Sequence, residues 1–86
     1  MDNNEFYVVL GFVISSKYRT KVLKSLGENI MMPTEIAKDT DLRINHVSNV
    51  LRDLKDKGLV VCLNENTRKG RLYKNTDFGL EILEFL

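Results

Sequence analysis

Between Arg43 and Arg52 the sequence gathers side chains able to read a pattern of hydrogen-bond donors and acceptors: Asn45, His46, Ser48, Asn49 and Arg52. An asparagine amide can donate and accept at once, which suits an adenine edge. An arginine fork donates twice, which suits guanine, and a serine hydroxyl can serve either base. Further along, Arg68, Lys69 and Arg71 crowd around Gly70. Such a cationic cluster suits phosphate oxygens, which position a nucleic acid without reading it. The chemistry on offer is recognition rather than catalysis.

These groups need a frame, and the apolar pattern supplies one. Ile44, Val47, Val50, Leu51 and Leu54 recur at helical spacing and predict a helix from Ile44 to about Lys57, ended by Gly58. With Ile44, Val47, Leu51 and Leu54 turned inward, a wheel at about 100° per residue puts Asn45, Ser48, Asn49 and Arg52 outward. His46 and Asp53 fall at the flank of that face. Asp56 also points outward, but near the far end, where a carboxylate would stand clear of phosphate. Arg43 stands just before the helix, where a small capping residue is common, and is placed to meet a phosphate.

A short helix opens ahead of it at Pro33, whose missing N–H costs nothing in a first turn, with Glu35 favourable there. Met32 before the proline forgoes a side-chain cap generally worth about 0.5–2 kcal/mol. Ile36 and Ala37 face inward, the chain turns at Asp39-Thr40-Asp41, and Leu42 plugs the corner. Short helix, turn and longer amphipathic helix make a helix-turn-helix over about residues 33–57, whose second helix can enter a major groove.

The period then changes. Leu59 to Leu63 is rich in β-branched residues and too short for a helix, residues 64–70 favour turns, and Arg71 to Asn75 reads as a second strand. The hairpin, over about residues 59–75, carries a basic tip beside the long helix. There Arg68, Lys69 and Arg71 can reach phosphates or an adjacent minor groove. Ser15-Ser16 caps an earlier helix through Leu26, with Tyr18, Val22, Leu23 and Leu26 on one face and Lys17, Arg19, Lys21 and Lys24 on the wet side. Gly27 stops it. Thr76 caps a last helix, Asp77 to Leu86, with Leu80, Leu83 and Ile82 as its apolar edge. Phe6 to Ile14 is apolar nearly all round and fits a buried helix better than a strand. Segments 5–14 and 77–86 carry more apolar surface than one small core absorbs, so a homodimer is expected to cover them.

The fold class expected is therefore mainly α with a small β-hairpin, a winged helix-turn-helix in a single domain over residues 1–86. Charge agrees with this. The net charge is +1, yet residues 43–74 hold eight basic side chains against three acidic, the footprint of a nucleic-acid-binding face. Cys62 is the single cysteine, and one Cys with one His assembles no metal site; a buried thiol is the simplest reading. No nucleophile elbow, phosphate-cradling glycine loop or partnered histidine suggests an enzyme, a cofactor or a small-molecule substrate. The polar, acidic start lacks the basic region of a signal peptide, and no apolar run is long enough to span a bilayer. A cytoplasmic protein with no membrane partner is expected.

The segments Pro33-Thr34-Glu35-Ile36-Ala37, Ile44 to Leu51 and Leu54 to Leu59 resemble the winged helix-turn-helix transcriptional regulators. The nearest likeness is to short prokaryotic, chiefly archaeal, members related to the ArsR and MarR families. Ser16 to Leu23, the hairpin Arg68 to Tyr73, and Thr76-Asp77-Phe78-Gly79 at the T-x-x-G start of the last helix resemble the same group. The resemblance implies double-stranded DNA as partner, transcriptional control and frequent homodimers. The ArsR metal sites have no counterpart here. The alternative is a winged helix serving as a protein-interaction module in a larger assembly, which would more often present apolar side chains on the outer face. RNA ranks third, because A-form RNA offers a helix no readable major groove.

Overall fold

Seven elements follow one another in the computed structural model, which describes residues 2–86. They are α1 (Asn3–Ile14), α2 (Lys17–Leu26), α3 (Pro33–Thr40), α4 (Ile44–Asp56), β1 (Val60–Cys62), β2 (Tyr73–Asn75) and α5 (Asp77–Leu83). The chain is thus a compact, mainly helical domain with a small antiparallel sheet, and its core lies where α2, α3 and α4 meet.

Each helix start has a local cause. Asp2 caps α1, its Oδ1 accepting from the Glu5 N–H at 2.8 Å. The Ser16 hydroxyl accepts from the Arg19 N–H at 3.3 Å to start α2. The α3 start lacks a side-chain cap, as Met32 dictates, but Glu35 reaches back and accepts from the Met32 N–H at 2.8 Å. That is half of a capping box. Asp41 ends α3 at φ 58°, a left-handed conformation that aspartate tolerates better than most residues. Gly27 ends α2 at φ 49°.

Val22, Leu23 and Leu26 of α2, Ile36 of α3, and Val47, Val50, Leu51 and Leu54 of α4 form the core with Leu59. Four expectations need correcting here. Ile44 is 47% exposed, because the first residue of α4 projects beyond the layer that covers Val47 a turn later. Tyr18 is 42% exposed, its ring turned edge-on to His46 with centroids 5.0 Å apart. Arg19 leaves the wet side: it lies 3.7 Å above the Phe12 ring and donates to the Phe12 carbonyl at 2.8 Å, covering the open end of α1. Last, α1 is a helix but not a buried one. Only Val13 is fully enclosed, Phe6, Val9, Leu10 and Phe12 are half-buried, and Tyr7 and Val8 face solvent.

The hairpin pairs Val60 with Asn75, Val61 with Lys74 and Cys62 with Tyr73. A third segment joins it unforeseen: Met31 bridges Tyr73 through two backbone hydrogen bonds of 2.9 and 3.0 Å. Two bonds around one residue leave no periodicity for a sequence reading to detect. Asn75, buried in β2, donates from Nδ2 to the carbonyls of Gly27 at 2.9 Å and Leu23 at 3.3 Å, tying the hairpin to the end of α2.

α5 stops at Leu83, short of the expected Leu86, and its anchor is the fully buried Ile82, with Leu80 and Leu83 half-buried. Thr76 starts it. The Thr76 hydroxyl accepts from the Gly79 N–H at 3.1 Å and donates to the Gly58 carbonyl at 2.6 Å. The Gly79 backbone then sits so near β1 that a side chain would overlap the Leu59 carbonyl oxygen and come within 2.7 Å of Asn75 Oδ1. Gly79→Ala should therefore lower stability in urea unfolding by about 1–3 kcal/mol, the usual cost of overpacking. Gly11 of α1, with open space around it, is the control: Gly11→Ala should stabilise by up to about 1 kcal/mol through helix propensity. Equal effects at the two sites would show that the close approach at Gly79 is not rigid.

Candidate nucleic-acid interface

Burying one stripe of α4 fixes what its other side presents. Asn45, Ser48, Asn49 and Arg52 are exposed, as the wheel requires. Arg43 is exposed at the helix start and makes no cap with its side chain. His46 is half-buried at the flank, against Tyr18. Arg52 Nη2 donates to Asn49 Oδ1 at 3.0 Å, one turn back along the same face.

Asn64 organises the hairpin tip. Its Oδ1 accepts from the Leu72 N–H at 2.7 Å and its Nδ2 donates to the Gly70 carbonyl at 3.1 Å, closing the turn from inside. Arg71 adds a second clamp: Nε donates to the Thr67 carbonyl at 2.8 Å and Nη2 to the Glu65 carbonyl at 3.3 Å. Part of its donor capacity is therefore spent on the tip itself. Arg68 and Lys69 are exposed, and their side chains have no hydrogen-bond or ion-pair partner among the described residues.

Between α4 and this tip runs a groove of about 670 Å³. Ile44, Ser48, Asn49 and Arg52 line one side, and Arg68, Lys69, Gly70, Arg71 and Tyr73 the other, with Leu51 and the start of α3 (Met32 to Thr34) between them. The fold thus brings six of the nine expected site residues to one groove. Arg43, Asn45 and His46 stand outside it.

Of the groove residues outside the expected set, two bear on its chemistry. Lys55 lies one turn beyond Arg52 and forms an ion pair with Glu65, linking α4 to the hairpin. The wheel puts it at the edge of the apolar stripe, between Ile44 and Ser48, and its partner was not readable at all, because only the fold sets residues 55 and 65 side by side. Ile44, taken as core, is the other. Its exposure gives the groove mouth an aliphatic surface of the sort a thymine methyl accepts.

Compared with known proteins, the chain matches no family model, no curated protein and no solved structure. Among the described residues, no cluster of three or more His, Cys, Asp or Glu could hold a metal ion, and no helix is long and apolar enough to cross a membrane.

The hydrogen bond from Lys55, and then its charge, hold the Glu65 carboxyl below the usual carboxylate range. The same bond holds the Lys55 ammonium above its ordinary value. The pair's contribution is present above the ordinary glutamate value and lost as pH falls through the depressed one. On the alkaline side it is present below the ordinary lysine value and lost as pH rises through the raised one. An NMR titration of the Glu65 side chain should therefore show a midpoint that moves up in Lys55→Gln. A midpoint unmoved by that substitution would mean the helix–hairpin link does not persist in solution.

Proposed function

We propose that this chain is a winged helix-turn-helix protein that binds double-stranded DNA sequence-specifically and regulates transcription. In this reading α3 and α4 are the helix-turn-helix, with α4 lying in the major groove. The hairpin is the wing, meeting phosphates or an adjacent minor groove. One observation carries it: the polar face of α4 and the unpartnered cations of the hairpin border the same groove. The first supplies groups that read base edges, and the second supplies charge that holds a backbone. The scaffold alternative wants apolar side chains on that face, where among the described residues of α4 Ile44 is the one large exposed apolar side chain, whereas Tyr7, Val8, Ile14 and Phe85 are exposed on the terminal segments.

Those terminal residues support a homodimer. Tyr7 and Val8 are 62% and 70% exposed on α1, and Phe85 is 56% exposed where it packs edge-on against Phe6, with ring centroids 5.0 Å apart. A second copy seated there would cover them. It would also add a second half-site to a module that buries only about 600–1,000 Å² on DNA.

Two measurements test the reading. Changing Arg68 and Lys69 together to Ala should weaken binding to any duplex and flatten the plot of log affinity against log salt. The slope should fall by about 0.9 for each phosphate the hairpin no longer neutralises. An unchanged slope would remove the hairpin from the interface. Light scattering at micromolar concentration should return twice the chain mass of 9.9 kDa. Val8→Glu should return the single mass and weaken binding to a two-half-site duplex. Val8 is the better probe than Leu83, which also packs against the core. A wild-type monomer with full affinity for a lone half-site would end the dimer proposal.

A further inference from the structure

We propose that Asn49 and Arg52 act as one unit, biased toward donating, that selects guanine in the duplex; this rests on the DNA-binding reading above. Taken singly, the two side chains ask for different bases. Asparagine matches adenine because it accepts from the N6 amine while donating to N7, and arginine matches guanine because it donates to O6 and N7. The hydrogen bond between them changes what asparagine can do. Arg52 Nη2 donates to Asn49 Oδ1 at 3.0 Å. A guanidinium has no acceptor, so the asparagine atom facing it must be the oxygen, and the amide orientation follows from chemistry.

Arg52 takes one of the two lone pairs of Oδ1 and sets its cationic N–H groups beside the other, so the adenine N6 amine would approach that oxygen against like donors, while the Asn49 NH2 stays open. Arg52 has used one of five N–H groups and keeps enough for a two-pronged hold. Both side chains are exposed, and both line the groove between α4 and the hairpin. The unit therefore presents chiefly donors. Guanine is the base whose major-groove edge pairs two adjacent acceptors, whereas adenine would set its N6 donor against N–H groups. The bond also holds the arginine fork near one rotamer before DNA arrives, which reduces the ordering cost of binding.

The experiment begins with selection of bound duplexes from a randomised double-stranded pool by the full-length protein, then measures affinities on the selected site. Wild type should require guanine at one position per half-site, with guanine-to-adenine exchange costing about 5- to 150-fold. Inosine, which keeps O6 and N7, should be tolerated there, and 7-deazaguanine, which lacks the N7 acceptor, should not. The diagnostic variant is Arg52→Ala. Freeing Asn49 Oδ1 should turn the preference at that position from guanine toward adenine, whereas Arg52→Lys should keep guanine with weaker discrimination. Duplex binding by wild type with no guanine requirement would overturn this inference alone. So would a site whose adenine preference depends on Asn49 and is untouched by Arg52→Ala. Absence of duplex binding at low salt would overturn the DNA-binding reading, and this inference with it.

Discussion

Val47, Val50, Leu51 and Leu54 reach the core only at one rotation of α4, and enclosing each contributes about 1.5–3 kcal/mol. That rotation governs what the rest of the surface can present. Turn the helix by one residue, about 100°, and Asn49 and Arg52 would leave the groove while apolar side chains took their place. The opposing surface comes from α2 and α3, whose Val22, Leu23, Leu26 and Ile36 have no solvent exposure. The polar face therefore depends on leucines and valines that are themselves buried.

Where the hairpin stands relative to that face is decided at a second place, the junction around Leu59. Its carbonyl accepts from the Thr76 N–H at 3.0 Å, and the Gly79 backbone packs against it. Beside it Asn75 holds two carbonyls at the end of α2. The strands themselves are only three residues long, too short for their own pairing to hold the hairpin in place. Backbone hydrogen bonds from Met31, and the Lys55–Glu65 pair near the tip, complete the bracing. A short hairpin braced at both ends can keep a cationic tip at a set distance from a helix.

The surface is divided by type. Arg68 and Lys69 stand at the hairpin tip without partners among the described residues, while Tyr7, Val8, Ile14 and Phe85, the most exposed of the large apolar side chains, belong to the terminal segments. In the proposed reading a second copy would cover those on α1 and recover the transfer free energy that their exposure costs. Under that reading the two regions would take two different partners, one charged and one apolar, and they lie on separate elements, so the binding of one need not obstruct the other.

The order and type of the elements follow from local signals in the chain: helical spacing, capping residues and β-branched runs. Ser16, Pro33, Thr76 and the stripe from Val47 to Leu54 carry them. The outward set on α4 follows in the same way, since an amphipathic helix has only one sensible rotation. Which ends of those elements are covered depends instead on the packing of the whole fold. Ile44 lies on the apolar stripe yet is exposed, and Arg19 lies among wet residues yet packs on Phe12, because burial depends on what stands opposite. Pairings across sequence distance were illegible for the same reason: nothing local links Met31 to Tyr73, Asn75 to Gly27, or Lys55 to Glu65. The T-x-x-G segment shows the division within four residues. The sequence marks Thr76 as a helix cap, but the requirement for glycine at position 79 exists only because the fold carries the Leu59 carbonyl up against its backbone.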